Sequence, residues 1–577
     1  LTGNGKVLRT DSAVNNAVFT GDNSSFNGSW EITGDYLGFA SDTSIGVPAI
    51  GMTWNGGGIY FTATGNSLAA SRTITLGASG GFLNGATGNT NTFAAKFTGT
   101  GALNKVSGER AILTHPDNDF TGAISITGGG TLEIGGAGRI GGGLYSGGIA
   151  IAAANTLAIN SSADQFLTGV VSGAGRLVKS GAGILTLDAI NTYTGTTTID
   201  GGTLVIGAGD SLYSTGSFFG TAATTNVSIN TGGILETRNW QYGDGFAFNQ
   251  MRNNSYAIRI NGGTVRFSET TSALRGFQVG ASGATLEAAT GTNYTKLAGT
   301  VLDDNLLTGV SGGSMTLTGA GNGEIQDAIG AHGTWDPAAG LTKQGSGTWT
   351  LTGSNTYTGD TRVNGGILVV NGTSIADTNK LVIDGGKVQP NGTETVNTLF
   401  FGGVQQAAGT WGSSSSAAVH KDDSRFAGTG VVNVISAPPS GYNTWISGFS
   451  LGGQTDIDDD PDNDGIDNGL EFVLAGGNPE VPGGALIPSG SRSGNNLIFS
   501  FQRDDRAKAA DVTITVEAGP DLATWPSIHS IGADTASSSG TVQISNDSDA
   551  NPDTVTVTIP TLGASEFFAR LKVVGAP

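Results

Sequence analysis

Apolar and small polar residues alternate at period two through most of the first 435 residues, in short runs such as Ile184-Leu-Thr-Leu187 and Thr196-Thr-Thr-Ile-Asp200. That period places every second side chain on one face of a strand, and β-branched Thr suits the face left to solvent. The runs stop at Asn-Gly, Asp-Gly or Gly-Gly, pairs that admit the positive φ of tight corners. No stretch sustains apolar residues at i, i+3, i+4 and i+7 between caps, so helix is expected to be scarce. Short strands between glycine corners predict an all-β chain whose first part is a long parallel β-solenoid (β-helix). At about 24 residues per rung, 435 residues would give roughly 18 rungs stacked as a rod.

The corners repeat. Residues 177–206, LVKSGAGILTLDAINTYTGTTTIDGGTLVI, align without a gap on residues 341–370, LTKQGSGTWTLTGSNTYTGDTRVNGGILVV, at an offset of 164. Leu177/Leu341, Lys179/Lys343, Gly181/Gly345, Asn191/Asn355, Tyr193/Tyr357, Gly195/Gly359 and Leu204/Leu368 correspond one to one. Weaker copies of aromatic-x-Gly-x-x-x-[IV] occur at Phe120–Ile126 and Phe26–Ile32, and Gly-Gly-x-[LIV] recurs at 129, 201, 232, 262 and 365. Several successive spacings fall in the range of one solenoid turn.

The strings L-x-K-x-G-x-G-x-[LW]-T-L, N-T-Y-T-G-x-T and G-G-x-L-x-[IV] resemble the autotransporter-associated β-strand repeat. The resemblance implies an exported β-helical surface protein, located outside the cell or on its surface, and it describes architecture, not catalysis. Autotransporters end in a membrane barrel of amphipathic strands. This chain ends FFARLKVVGAP after a short β-rich region, so self-translocation is not expected. It starts at Leu1, with no targeting peptide in view, which says nothing against export.

A different region begins near Ser436-Ala-Pro-Pro-Ser-Gly441. Before Ser436 lie 80 of the 97 glycines, and from it onward 19 acidic residues face only 6 basic ones. The expected organisation is a solenoid over 1–435, a linker over 436–455, an acidic calcium loop over 456–480 and a β-sandwich-like domain over 481–577. Within the last of these, residues 497–501, 512–516, 541–544, 555–559 and 567–573 alternate as strands of a small antiparallel sandwich.

The acidic loop carries the clearest chemistry. Asp460, Asp462, Asp464 and Glu471 occupy loop positions 1, 3, 5 and 12, with Gly465 at 6 and Asn468 at 9. Alternate side chains on a tight turn converge, Gly allows the bend, and the distal Glu can bind Ca²⁺ through both oxygens. The carbonyl of Ile466 would supply position 7, and Asp456, Asp458 and Asp467 would complete this site or form a second. Eight acids between Asp456 and Glu471 with no Lys or Arg among them repel one another unless a cation intervenes. The segment D-P-D-N-D-G-I-D-N-G-L-E-F resembles bacterial thrombospondin type 3-like calcium repeats, which implies a structural role. An EF-hand would carry an apolar residue where Asp467 stands.

The remaining composition mostly excludes. Zero Cys removes disulfides and thiol chemistry, and no apolar run approaches a bilayer span. A net charge of −20 disfavours nucleic acid and favours cations. His115, His332, His420 and His529 are isolated, as turn or surface histidines usually are. Carboxylates for a polysaccharide lyase or hydrolase are thin: Glu236 with Arg238, Arg266 with Glu269, and Asp303 with Asp304, each read as a surface ion pair or turn acid. No catalytic residue is nominated, and the chain is not expected to be an enzyme. Trp30, Trp54, Trp240, Trp335, Trp349 and Trp411 offer a sugar-stacking platform, although Trp349, standing where the other repeat has Leu185, reads as core. The expected function is a secreted structural protein whose copies assemble head-to-tail into fibres or a layer, with a carbohydrate-binding adhesin as the alternative and a β-helical lyase or hydrolase as the enzymatic one.

Overall fold

Residues 19 to 31 positions apart lie side by side as parallel strands, the signature of a coil returning on itself. The computed structural model describes residues 1–10, 17–206, 227–237, 258–273, 277–296, 313–326, 329, 340–372, 374–436, 441–483, 487–508, 512–545 and 552–575. The chain divides into two compact units, 1–359 with 365–369, and 360–364 with 370–577. Helix among the described residues is limited to Tyr442–Ile446 (α1), Asn468–Val473 (α2) and a few 3₁₀ turns, none long and apolar enough to cross a membrane.

In the first unit one ladder runs Thr90–Phe93, Arg110–Leu113, Thr131–Gly136, Thr156–Ser161, Arg176–Lys179 and Thr197–Ile199, every pairing parallel. A second ladder begins at Ala17–Phe19 and passes through Asp35–Phe39, Gly57–Phe61, Gly81–Gly85, Leu103–Lys105 and Ile124–Ile126. Most inward positions are apolar and sealed, as at Leu132, Leu157 and Leu177 on the first ladder. Burying each such side chain contributes about 1.5–3 kcal/mol relative to leaving it exposed. The parallel β-solenoid is thus present, with about 14 turns instead of roughly 18. Strand-to-strand spacing reaches 31 residues, and Thr393–Val396, Val431–Val434, Gly409–Gly412 and His420–Lys421 form a separate four-stranded mixed sheet.

The repeat motif explains itself in three dimensions. Lys105, Lys179 and Lys343 are fully buried. Each folds its ammonium back onto the carbonyl two residues ahead: Ser107, Gly181 and Gly345. Lys179 also donates to Gly201 O at 3.1 Å and Lys343 to Gly365 O at 3.0 Å, the first glycine of each Gly-Gly pair. The second glycine makes room: a Cβ on Gly202 would lie 2.6 Å from Lys179 Nζ, and one on Gly366 would lie 2.8 Å from Lys343 Nζ. Both glycines have φ near +60°, which L side chains rarely adopt. The lysine therefore caps corner carbonyls of two successive coils, and burial lowers its pKa to about 8 at all three sites.

The asparagine of the motif ties coils together. Asn118, Asn191 and Asn355 accept from the backbone N–H groups of Phe97, Val171 and Ile329 at 2.8, 2.8 and 2.7 Å, each a coil earlier. Two residues on, Phe120, Tyr193 and Tyr357 fill the interior. Trp349 is sealed in the core as expected, donating from Nε1 to Thr318 O at 3.1 Å. Its bulk fits because Gly323 stands beside it in the ladder, where Leu185 has Gln165. Trp30 and Trp54 are equally buried, and Trp411 is 6% exposed and stacked on His420, so none of these four belongs to a surface platform. Trp240 and Trp335 lie outside the described residues.

In the second unit Thr361–Val363, Lys380–Ile383 and Thr398–Phe401 form parallel coil strands. Further along, all five strands expected from alternation are present within two antiparallel sheets. One contains Ser489–Ser493, Asn496–Arg503, Asp553–Pro560 and Val542–Ser545; the other contains Ser527–Ile531, Val512–Gly519 and Phe568–Gly575. Their inner faces share one core with Tyr442, Trp445, Phe472 and Val473 of α1 and α2.

Candidate metal centre

The acidic segment folds as a sequence of carboxylate-capped turns leading into α2. Asp460 accepts from the N–H groups of Asp464 and Gly465, Asp462 from Asp464, and Asp464 from Ile466. Gly465, at φ +88°, makes the bend that the loop pattern requires. One oxygen from each of Asp460, Asp462 and Asp464 lies within 4.8 Å of the others. The second oxygen of Asp464 accepts from Gly483 N, which anchors the loop to the following segment.

Asp467 is the N-cap of α2, accepting from Leu470 N at 2.8 Å. That cap turns the helix so that Asn468 and Glu471 face inward, both 0% exposed. Asn468 donates to the carbonyls of Gln454 and Asp456 at 3.2 and 2.9 Å, and Glu471 Oε1 accepts from Asn478 N at 3.3 Å. Their other acceptors, Asn468 Oδ1 and Glu471 Oε2, are buried without a hydrogen-bond partner, as is Asp462 Oδ2. A buried orphan acceptor costs about 1–3 kcal/mol, more when charged. All three belong to the residues that the loop spacing singles out.

The electrostatics follow. Burial, reinforced by Asp462, Asp464 and Asp460, pushes the Glu471 carboxyl up to about 8. Burial raises Asp462 as well, with Asp464 and Asp460 adding to it. Asp467 is raised by burial and by Asp458 and Asp460. Asp458 itself is exposed, and Asp467 has one oxygen committed to its cap. Ile466 is placed by its buried side chain.

Sequence reasoning missed the residue that holds this region to the sandwich. Arg506 donates to the carbonyls of Glu471, Phe472 and Gly477 and lies 4.8 Å over the Trp445 ring. Nothing in the local sequence signals it, since its partners are about 30 residues away.

Of the carboxylates considered for glycan cleavage, Glu236 is engaged in an ion pair. Arg266 lies between Glu236, at 3.6 Å, and Glu287, at 3.0 Å, on three neighbouring strands, a cross-strand ion ladder in place of the expected pair of Arg266 with Glu269. Arg238, Asp303, Asp304 and His332 fall outside the described residues. His529 is not at a surface or turn: it is buried between Ser527 and Thr541 hydroxyls, at 2.9 and 2.6 Å.

The chain is a β-solenoid whose coils are stapled by buried lysines and joined by asparagines, and its passenger repeats and autotransporter relative indicate a secreted or cell-surface protein. The model of the passenger-associated-transport-repeat family matches residues 103–134, 177–206 and 341–370, the three segments built on Lys105, Lys179 and Lys343. Among curated proteins the chain is similar to the adhesin BmaC autotransporter of Brucella suis biovar 1 (strain 1330), 29% identical over 339 residues. That alignment takes in 47% of this chain and 10% of the relative. No solved structure matches the chain significantly.

Proposed function

We propose that the chain is the outward-facing part of a non-enzymatic bacterial surface adhesin, its solenoid displaying a binding face and its acidic loop clamped by Ca²⁺. The adhesin reading is supported by the passenger repeats together with the autotransporter relative. Expression on a non-adherent bacterial host tests it: adhesion to cells or matrix should rise, and unchanged adhesion would sink the reading.

The observation that carries calcium is the set of orphaned buried acceptors on Asp462, Asn468 and Glu471, with Glu471 electrostatically coupled to the carboxylate group. Ca²⁺ prefers six to eight oxygens, and Asp460, Asp462, Asp464, Asn468 and Glu471 would hold it. Bound there, the ion would neutralise a block that otherwise repels itself. Titration calorimetry should show Ca²⁺ binding in the wild type, weakened at least about tenfold by Glu471→Gln. Self-association into fibres or a layer is the finer part of the proposal, since stacked coils direct their backbone hydrogen bonds along the stacking direction. Light scattering at high concentration with Ca²⁺ decides it, a persistent monomer counting against assembly.

A further inference from the structure

One ladder of the first unit carries aromatic rings outward. On three adjacent strands the outward positions are Tyr36 and Gly38, Gly58 and Tyr60, and Phe82 and Asn84, because Leu37, Phe39, Ile59, Phe61 and Leu83 between and beside them point into the core. The register sets rings and glycines in a checkerboard: Tyr36 is directly opposite Gly58, Tyr60 opposite Gly38, and Phe82 opposite Gly58. Each ring therefore has a bare position beside it. Tyr36 and Phe82 meet edge to face over Gly58, centroids 6.0 Å apart. All three rings are only partly buried.

The face has no formal charge at these outward positions. It continues onto Asn104 and then Ser125. Outward positions on neighbouring ladders carry ion pairs such as Arg110 with Glu133. An uncharged face on a chain of net charge −20 gives acidic polymers no attraction. Partly exposed rings beside amides and hydroxyls match a ligand with C–H faces and hydroxyl edges.

We propose that Tyr36, Tyr60 and Phe82, with Asn84 and Asn104 at their flank, form a stacking platform for a neutral polysaccharide. The platform rests on the surface reading above and supplies its partner chemistry. It also replaces the tryptophan platform suggested by the sequence, whose described members are in the core.

Affinity electrophoresis of the full chain tests it, in gels containing dextran, mixed-linkage β-glucan or galactomannan, with polygalacturonate as the acidic counterpart. Retardation is expected in at least one neutral gel and absent with polygalacturonate. Tyr60→Ala and Phe82→Ala should each weaken it about tenfold, as for truncated aromatic hot spots, whereas Tyr36→Phe should preserve it. Thermal melts check that the variants fold, and Phe82→Leu serves if Phe82→Ala does not. No retardation by any neutral glycan overturns the platform, as does equal retardation of the alanine variants. Self-association that Tyr60→Ala abolishes would name a second copy as the occupant and overturn it too. Adhesion of displayed chain that survives both alanine variants while neutral glycans fail to bind would overturn the platform alone and leave the adhesin reading intact.

Discussion

Lysine in a strand ordinarily reads as a solvated charge, and in this chain three of them do the opposite. Lys179 is sealed under its corner, donating to Gly181 and Gly201. Lys179→Met should keep the packing but strand those carbonyls, at a cost of about 1–3 kcal/mol. Hydrogen exchange should speed up around residues 177–206 and stay unchanged at distant coils. A second buried charge gives a pH signature. Glu394 is fully buried, with Oε1 accepting from Ile375 N at 2.7 Å and Oε2 unpartnered, and burial raises its pKa to about 7. The folded state thus holds a proton that the unfolded chain releases near pH 4.5. Its contribution to stability is complete below about 4.5 and is lost as pH rises through 7, by up to about 3 kcal/mol. Glu394→Gln should flatten urea midpoints across that window, and an unchanged slope would refute the assignment.

At the level of strands and turns, the period of the sequence carried most of the fold. Alternation at 497–501, 512–516 and 555–559 was enough to place sandwich strands, because one face of each is buried and a slip by one residue would expose it. The acidic loop was legible for a similar reason: alternate side chains on a tight turn converge whatever surrounds them. What spacing could not reveal was partnership. Lys179 and Gly202 both stand out as repeat positions, yet that one vacates space for the other appears only when coils stack. Trp349 and Gly323 are a second such pair. Trp349→Leu and Gly323→Ala should each destabilise by about 1–3 kcal/mol, through a void and through overpacking. The double variant should cost less than the sum, and a double-mutant cycle showing plain additivity would argue against their coupling.

Considered as a molecule, the chain joins two kinds of stability. Coils contact their neighbours, so a solenoid is held by a sum of local interfaces. The acidic loop, α1, α2 and the sandwich share one core instead. Chelation should therefore lower the melting transition of the region after residue 441, where Trp445 and Trp525 report, by several degrees. It should leave the β-sheet circular dichroism of the coils in place. A chelator that melts both together, or neither, would contradict this division.

The lysine corners also give the folded chain a chemical clock. Lys105, Lys179 and Lys343 are all closed to solvent, at widely spaced points along the solenoid. An amine-reactive reagent or trypsin can reach each one only after its own corner has opened. The order in which these three are modified under force or denaturant would therefore record, without any engineered label, where along its length the protein first comes apart.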